Sequence, residues 1–193
     1  MRKGLSILLQ ADALAILAGG MFGPLYAVFV EEIGGDLLTA GEAFAVFAFV
    51  MAGLMFIISR WGDHAKHKEF LIVLSYGLGC LGFLGYLLIS RPMHLFIVQI
   101  IFGVSGAIGW PTYDGLFSKF LDKGKFISEW GLWGTMRNVM LGLGALAGGF
   151  IAKNFGFSFL FGVMLIVSLI GFFVSLLLIL ERDTLYRESK WGS

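Results

Sequence analysis

Residues 99–117 read QIIFGVSGAIGWPTYDGLF, an apolar run that holds four glycines, a proline and the acid Asp114. An acid placed in lipid costs roughly 2.5 to 3.5 kcal/mol, so acids in such segments usually face a bundle interior or a watery cavity. We therefore expect a membrane helix that lines a cavity. A second stretch, residues 19–26 (GGMFGPLY), also places a proline and then a tyrosine behind glycines, and Asp12 precedes it.

The composition predicts an integral membrane protein. The chain has 193 residues, of which 58% are hydrophobic and 14% charged, whereas about a quarter of the residues of a soluble protein are charged. The net charge of +1 with no basic stripe gives no nucleic-acid signal. Cys80 alone forms neither an internal disulfide nor a cysteine metal site. Without a nucleophile or metal-hydrolase constellation, we predict no enzyme, no cofactor and no metal.

Six apolar segments are long enough to cross a bilayer, which takes about 20 residues each. They run at about residues 5–30, 42–59, 69–90, 94–117, 130–152 and 157–180. The linkers are short, so the prediction is a single all-α domain, 1–193, with six transmembrane helices. Pro24 and Pro111 lie 87 residues apart and open successive groups of three helices. That spacing indicates a 3+3 inverted repeat, the internal symmetry of many transporters.

Positive charges predict the orientation, because Lys and Arg accumulate in cytoplasmic loops. With the N-terminus inside, eleven Lys and Arg residues fall on the cytoplasmic side and only Arg91 and Lys153 on the other. We therefore expect both termini in the cytoplasm, in a multi-pass protein of a prokaryotic cytoplasmic membrane.

The turn between the second and third segments carries a recognisable pattern. Residues 59–68 read SRWGDHAKHK, which resembles the signature G-x-x-x-D-R-x-G-R-K of the major facilitator superfamily. Asp63 and Lys68 match it, and other residues stand at the two glycines and two arginines. Residues 99–103 (QIIFG) resemble the R-x-x-x-G pattern of the fourth helix, with Gln99 at the arginine position.

Residues 142–149 (GLGALAGG) resemble the glycine pattern of that family's fifth helix. The similarity covers the whole chain, but as one half of a family whose members usually have twelve helices in two related halves. It implies a parallel homodimer, in which helices one and four of each copy line a central cavity and helix two packs on helix five of the partner. The small residues expected at that interface are Ala45, Ala48, Ala52, Gly53, Gly134, Gly142 and Gly148.

The same resemblance implies a cytoplasmic gate at the signature loop, with Asp63 and Lys68 as its residues. Asp63 would cap the start of helix five in the partner, where a helix has a partial positive charge.

Asp12 is the first candidate for chemistry. Helical spacing places it on one face with Gly19, Gly23 and Tyr26. One interpretation is a proton or cation site in the cavity wall, since an apolar environment favours loading and release of a proton. The other is an acid that extends to the interface or holds a neighbouring helix by hydrogen bonds.

Asp114 and Arg137 are expected at similar depths on adjoining helices, close enough to pair. The pair is either structural or one that breaks when the cytoplasmic side opens. Asn138 adds an amide beside it, which serves either a ligand or helix packing.

Gln99, Trp110 and Tyr113 are expected on one face of the fourth helix with Gly103 and Gly106. An amide with two large aromatics suits a mainly apolar or cationic organic ligand better than a sugar. The alternative for the aromatics is packing.

The sequence thus predicts a secondary transporter that works as a homodimer by alternating access, with proton-coupled transport of a small organic molecule. Its partners are a second copy, the substrate and lipid. The alternatives are a non-transporting membrane receptor or assembly subunit, one half of a heterodimeric transporter, and a truncated form of a longer protein.

Overall fold

A computed structural model describes residues 3–62 and 67–181, and within these residues all regular structure is helical. Five segments are long and apolar enough to cross a membrane. The helices are Lys3–Gly20, Tyr26–Glu32, Leu37–Gly62, Lys68–Leu87, Pro92–Ser118 and Phe126–Leu180, with a 3₁₀ turn at Gly23–Leu25. Lys3–Glu32 forms the first span, and the next three helices form the second, third and fourth spans.

The last helix contains two spans, the fifth and the sixth. Its 55 residues would extend about 80 Å as one rod, far more than the roughly 30 Å hydrocarbon core. Helical geometry breaks at Gly156, where φ is 80° and ψ is 172°. Residues before this break approach the first span in the same chain direction, Gly144 near Leu17 and Gly148 near Met21. After it the direction is reversed, because Gly171 lies near Leu14.

Two of the differences from the expected boundaries have a clear local cause. The expected linker at 153–156 is reduced to the single residue Gly156, since a positive φ is accessible to glycine and turns the chain without a loop. The second span begins at Leu37 rather than near residue 42. Asp36 explains this, because its carboxylate accepts hydrogen bonds from the backbone N–H and hydroxyl of Thr39, at 2.7 and 2.6 Å. That geometry caps a helix start.

Pro24 and Pro111 act differently. Pro24 lies in the 3₁₀ turn that separates Lys3–Gly20 from Tyr26–Glu32, as expected of a residue that lacks an N–H and clashes with the preceding turn. Pro111 lies inside the continuous helix Pro92–Ser118. The residues after Pro24 therefore do not continue the helix face that Asp12 occupies.

The packing of the spans follows the 3+3 repeat. The first span packs on the fifth and sixth, and the fourth packs on the second and third. The third and sixth pack on each other, through the contact of Gly77 with Phe172. Exchanging spans one to three for spans four to six leaves this pattern unchanged. It is the arrangement that an inverted repeat requires.

Glycines allow the closest approaches. A Cβ at Gly144 would lie 2.6 Å from the carbonyl oxygen of Leu17, and one at Gly148 would overlap the carbonyl of Met21. The expectation that Gly148 faces a partner copy is therefore wrong, because this residue packs on the first span of its own chain. Gly134 and Gly142 have no atom within 4 Å of an added Cβ, so their faces are open.

Candidate functional site

A cavity of about 390 Å³ opens within the bundle. The first, third and fourth spans supply most of its wall, and the second, fifth and sixth contribute single residues or pairs. Predicted site residues in the wall are Asp12, Trp110, Tyr113, Asp114 and Arg137. Five residues expected from the sequence thus meet around one space.

Asp12 is held by an aromatic donor from another span. Its Oδ2 accepts a hydrogen bond from Nε1 of Trp133 at 3.0 Å, and the Tyr113 hydroxyl lies close to this carboxyl. The same indole N–H lies 3.0 Å from the Tyr113 oxygen. The Tyr113 and Trp133 rings stack with centroids 5.9 Å apart. Asp12 therefore has a fixed orientation beside the cavity, on the first span.

Arg137 stacks on an aromatic ring instead of pairing with an acid. Its guanidinium carbon lies 4.6 Å from the ring centroid of Trp133, one turn earlier in the same helix. Among the residues that the structure describes, Asp114 and Arg137 form no ion pair. The expected direct pair is thus replaced by a cation–π contact, although Arg137 remains close enough to act electrostatically on Asp12 and Asp114.

Asp114 is exposed on the fourth span and lines the cavity. Its backbone carbonyl accepts a hydrogen bond from the Ser118 hydroxyl at 2.7 Å, whereas its carboxylate has no such partner in the described ranges 3–62 and 67–181. Trp110, one turn earlier, is 55% exposed and also lines the cavity. The fourth span therefore presents an acid and an indole side by side.

Gln99 and Tyr26 lie in a separate buried cluster. The Gln99 amide donates to the hydroxyl of Tyr26 at 2.7 Å and to that of Tyr86 at 3.4 Å. Tyr86 stacks on Phe161, with centroids 5.1 Å apart, inside an aromatic core. Neither Gln99 nor Tyr26 is in the cavity wall. They join the first, third and fourth spans, beyond the break at Pro24.

The remaining predicted residues lie elsewhere. The Asn138 amide donates to the Gly134 carbonyl of its own helix at 2.8 Å and is exposed. Asp63 lies outside the described residues. Lys68 begins the third span, and residues 63–66, just before it, lie outside the described ranges. No group of His, Cys, Asp and Glu that could hold a metal is found in the ranges 3–62 and 67–181.

Two aromatic residues near Asp12 were not predicted from the sequence, Tyr76 in the cavity wall and Trp133 next to it. Trp133 donates to Asp12, and Tyr76 of the third span lines the cavity close to Asp12 and Arg137. An aromatic residue in an apolar helix usually indicates packing, so the sequence does not mark either residue as part of a site. The sequence feature that could have identified Trp133 is its spacing, since it lies one turn from Arg137 on the same helix face.

Comparison with known proteins agrees with this architecture. The sequence model of the Major Facilitator Superfamily matches residues 11–192. The uncharacterized MFS-type transporter YitZ of Bacillus subtilis (strain 168) is 26% identical over 147 residues, which cover 75% of this chain and 87% of that protein. The putative glycerol-3-phosphate transporter 2 of Arabidopsis thaliana is 27% identical over 194 residues, covering 97% of this chain.

The two relatives differ in length. The chain spans only 36% of the Arabidopsis protein, whereas the Bacillus relative is itself of similar length to this chain. The family match, the apolar helices and the transporter relatives identify a multi-pass membrane transporter and not an enzyme. The chain belongs to the major facilitator superfamily.

Proposed function

We propose that this chain is a secondary active transporter that works as a parallel homodimer by alternating access and couples proton movement to transport of a small organic molecule. The observation that carries the proposal is the position of Asp12. This acid lies on an apolar span, lines the cavity and is oriented by a hydrogen bond from Trp133. Intramembrane acids in such positions commonly serve ion or substrate pathways.

Asp12 has the surroundings that a coupling group needs. A fixed donor, the Trp133 indole N–H, binds its carboxylate, and the Tyr113 hydroxyl and the Arg137 charge are nearby. When Asp12 binds a proton, its carboxylate loses its negative charge and gains an O–H donor. This change takes place in a cavity wall that also faces the ligand. Loading of a proton and loading of a substrate can therefore influence each other.

The second and fifth spans carry faces suited to a partner copy. Ala52 and Gly53 are exposed on the second span, and Gly142 is exposed on the fifth. A Cβ at Gly53 or Gly142 would meet no atom within 4 Å. Small residues let membrane helices approach closely. A two-fold axis along the membrane normal would join the second span of each copy to the fifth of the other and bring both cavities to the centre.

The proposal places 1–193 in one six-span domain with both ends in the cytoplasm, as the distribution of Lys and Arg favours. Lys3 forms an ion pair with Glu181, at 2.6 Å between Nζ and Oε1. The beginning of the first span and the end of the sixth therefore lie at the same side of the bundle, which an even number of spans requires.

The proposal is tested in proteoliposomes that enclose a pH-sensitive dye. A set of small aromatic ammonium, carboxylate and alcohol compounds is added outside, and the internal pH is followed. We expect at least one compound to change the internal pH with the native chain and to have no such effect with Asp12→Asn. Asp36→Asn is the matched control, because it is the same substitution at an acid outside the cavity and asparagine also caps helices.

Equal pH changes in native protein and Asp12→Asn would remove the coupling role of Asp12. No response to any compound, with correctly inserted protein, would contradict transport and favour a receptor or assembly subunit.

A further inference from the structure

We infer that the cavity binds a small organic cation with an aromatic or other apolar body and an ammonium group, which Asp114 receives. The inference rests on the proposed transport function, for which it names the class of substrate.

The charges of the wall favour a cation. Two carboxylates, Asp12 and Asp114, and one guanidinium, Arg137, line the cavity. Their formal sum is −1 when all three are ionised. A monocation brings the loaded cavity to neutrality, whereas an anion doubles the excess and a zwitterion leaves it unchanged. Because the surroundings are apolar, an uncompensated charge is costly there.

Two hydroxyls of the wall also favour a hydrogen-bond donor. The Ser75 hydroxyl donates to the carbonyl of Ile72, and the Ser105 hydroxyl donates to the carbonyl of Ser75, both at 2.8 Å. A hydroxyl that gives its hydrogen to the backbone keeps only lone pairs for other partners. Both serines line the cavity, so they offer acceptors that an ammonium group can use and a carboxylate cannot.

The two acids have different tasks. Asp12 already accepts a hydrogen bond from Trp133, and the Tyr113 hydroxyl lies nearby. The Asp114 carboxylate has no hydrogen-bond or ion-pair partner within residues 3–62 and 67–181, and it is exposed to the cavity. Asp114 is therefore the acid that is open to a ligand, while Asp12 is fixed by its own chain.

The aromatic residues of the wall suit the body of such a ligand. Trp110 is 55% exposed beside the cavity, and Tyr76 and Tyr113 line it. Aromatic faces attract a cation as well as apolar surface. A volume of about 390 Å³ falls within the range of pockets that hold small organic ligands.

The test compares four probes with a common naphthyl body, measured by equilibrium dialysis with full-length protein in lipid nanodiscs. The probes are 2-naphthylmethylammonium, 2-naphthylmethanol, 2-naphthoate and 2-naphthylalanine, which are a cation, a neutral molecule, an anion and a zwitterion. We expect the cation to bind at least tenfold more tightly than each of the others, a difference of about 1.4 kcal/mol. In Asp114→Asn the preference for the cation over the alcohol should fall to threefold or less, while the affinity for the alcohol stays the same as in the native chain.

Asp36→Asn is again the control and should keep the full preference. Stronger binding of the anion or the zwitterion, or equal binding of all four probes, would overturn the inference. So would a cation preference that Asp114→Asn leaves intact. Binding is measured here without a proton gradient, so these outcomes are independent of whether Asp12 couples transport. Conversely, a cation preference without any flux would contradict the proposed function alone.

Discussion

The indole Nε1 of Trp133 donates a hydrogen bond to Oδ2 of Asp12 at 3.0 Å, which joins the fifth span to the acid of the first. This contact fixes the carboxylate beside the cavity, and the stacking of Trp133 on Tyr113 and Arg137 fixes the indole in turn. The orientation of Asp12 thus depends on Trp133, which a search of the sequence for charged residues does not identify.

Trp133→Phe keeps an aromatic ring against Tyr113 and Arg137 but removes the N–H donor. A hydrogen bond to a charged group contributes about 1.5 to 3 kcal/mol, so we expect proton-coupled flux in proteoliposomes to fall roughly tenfold or more. Trp130→Phe is the matched control, since Trp130 packs edge-to-face on Trp133 on the same helix. A drop of equal size in both variants would show that ring packing, and not the donor, matters.

Gln99→Leu is expected to reduce stability. It removes the donors to Tyr26 and Tyr86 and should cost about 1 to 3 kcal/mol of unfolding free energy, because partly buried hydroxyls lose their partner. Thermal unfolding of the purified protein measures the loss. The naphthyl probes should bind the folded variant with unchanged affinity, since Gln99 is outside the cavity wall. A selective loss of probe affinity at full stability would place Gln99 in the binding site.

Gly144→Ala should destabilise the contact between the first and fifth spans. The added Cβ would lie 2.6 Å from the Leu17 carbonyl oxygen, and overpacking of this kind costs about 1 to 3 kcal/mol. Gly149→Ala lies on the same helix with no atom within 4 Å and should be neutral or slightly stabilising, because alanine favours helices. Equal unfolding midpoints for the two variants would contradict the packing described.

Gly156→Ala tests the turn between the fifth and sixth spans. The space around Gly156 is open, so any effect comes from its φ of 80° and ψ of 172°, a backbone conformation that is essentially restricted to glycine and costs other residues roughly 1 to 3 kcal/mol. We expect a lower unfolding midpoint, and no change for Gly162→Ala, which is also open. Full stability of Gly156→Ala would mean that the break does not need a positive φ.

Asp36 lies outside the membrane spans, and its capping carboxyl predicts that the stability of the protein depends on pH. Hydrogen bonds from the hydroxyl and backbone N–H of Thr39 lower the pKa of Asp36 below its usual value. A carboxyl with a lowered folded-state pKa contributes stability above its unfolded pKa and loses it as the pH falls through the folded value. The unfolding midpoint of the native chain relative to Asp36→Asn should therefore decline on acidification below about pH 4. A constant difference would contradict the cap.

Much of the fold is predictable from composition, because long apolar runs in lipid have few alternatives to helices. Asp12, Asp114 and Arg137 could be identified for the same reason, since charged residues in such runs need a cavity or a partner. Counting helix faces also predicts Tyr26 beside Asp12, but that counting fails across the turn at Pro24. The prediction for Gln99 rests on its helix face and on its place in the family pattern, and the structure places it with Tyr26 and Tyr86 instead of in the cavity wall.

The sequence also does not show which way a glycine on a membrane helix faces. Gly142 and Gly148 belong to the same small-residue pattern, yet one faces outward and the other packs on Met21. Only the packing of the first span on the fifth distinguishes them. Trp133 could not be separated from ordinary packing aromatics until its N–H was placed beside Asp12.

The central claim, a parallel homodimer with both cavities turned to a shared centre, is tested most directly by cross-linking between two differently tagged copies in native membranes. In a Cys80→Ser background, one copy carries Ala52→Cys on the second span and the other Gly142→Cys on the fifth, at similar predicted depths. A short bis-maleimide should link the two introduced cysteines and give a covalent dimer that carries both tags. The control pair, Ala52→Cys with Ile170→Cys on the exposed sixth span, should not be joined. Cross-linking of the control pair alone, or of neither pair, would contradict the account.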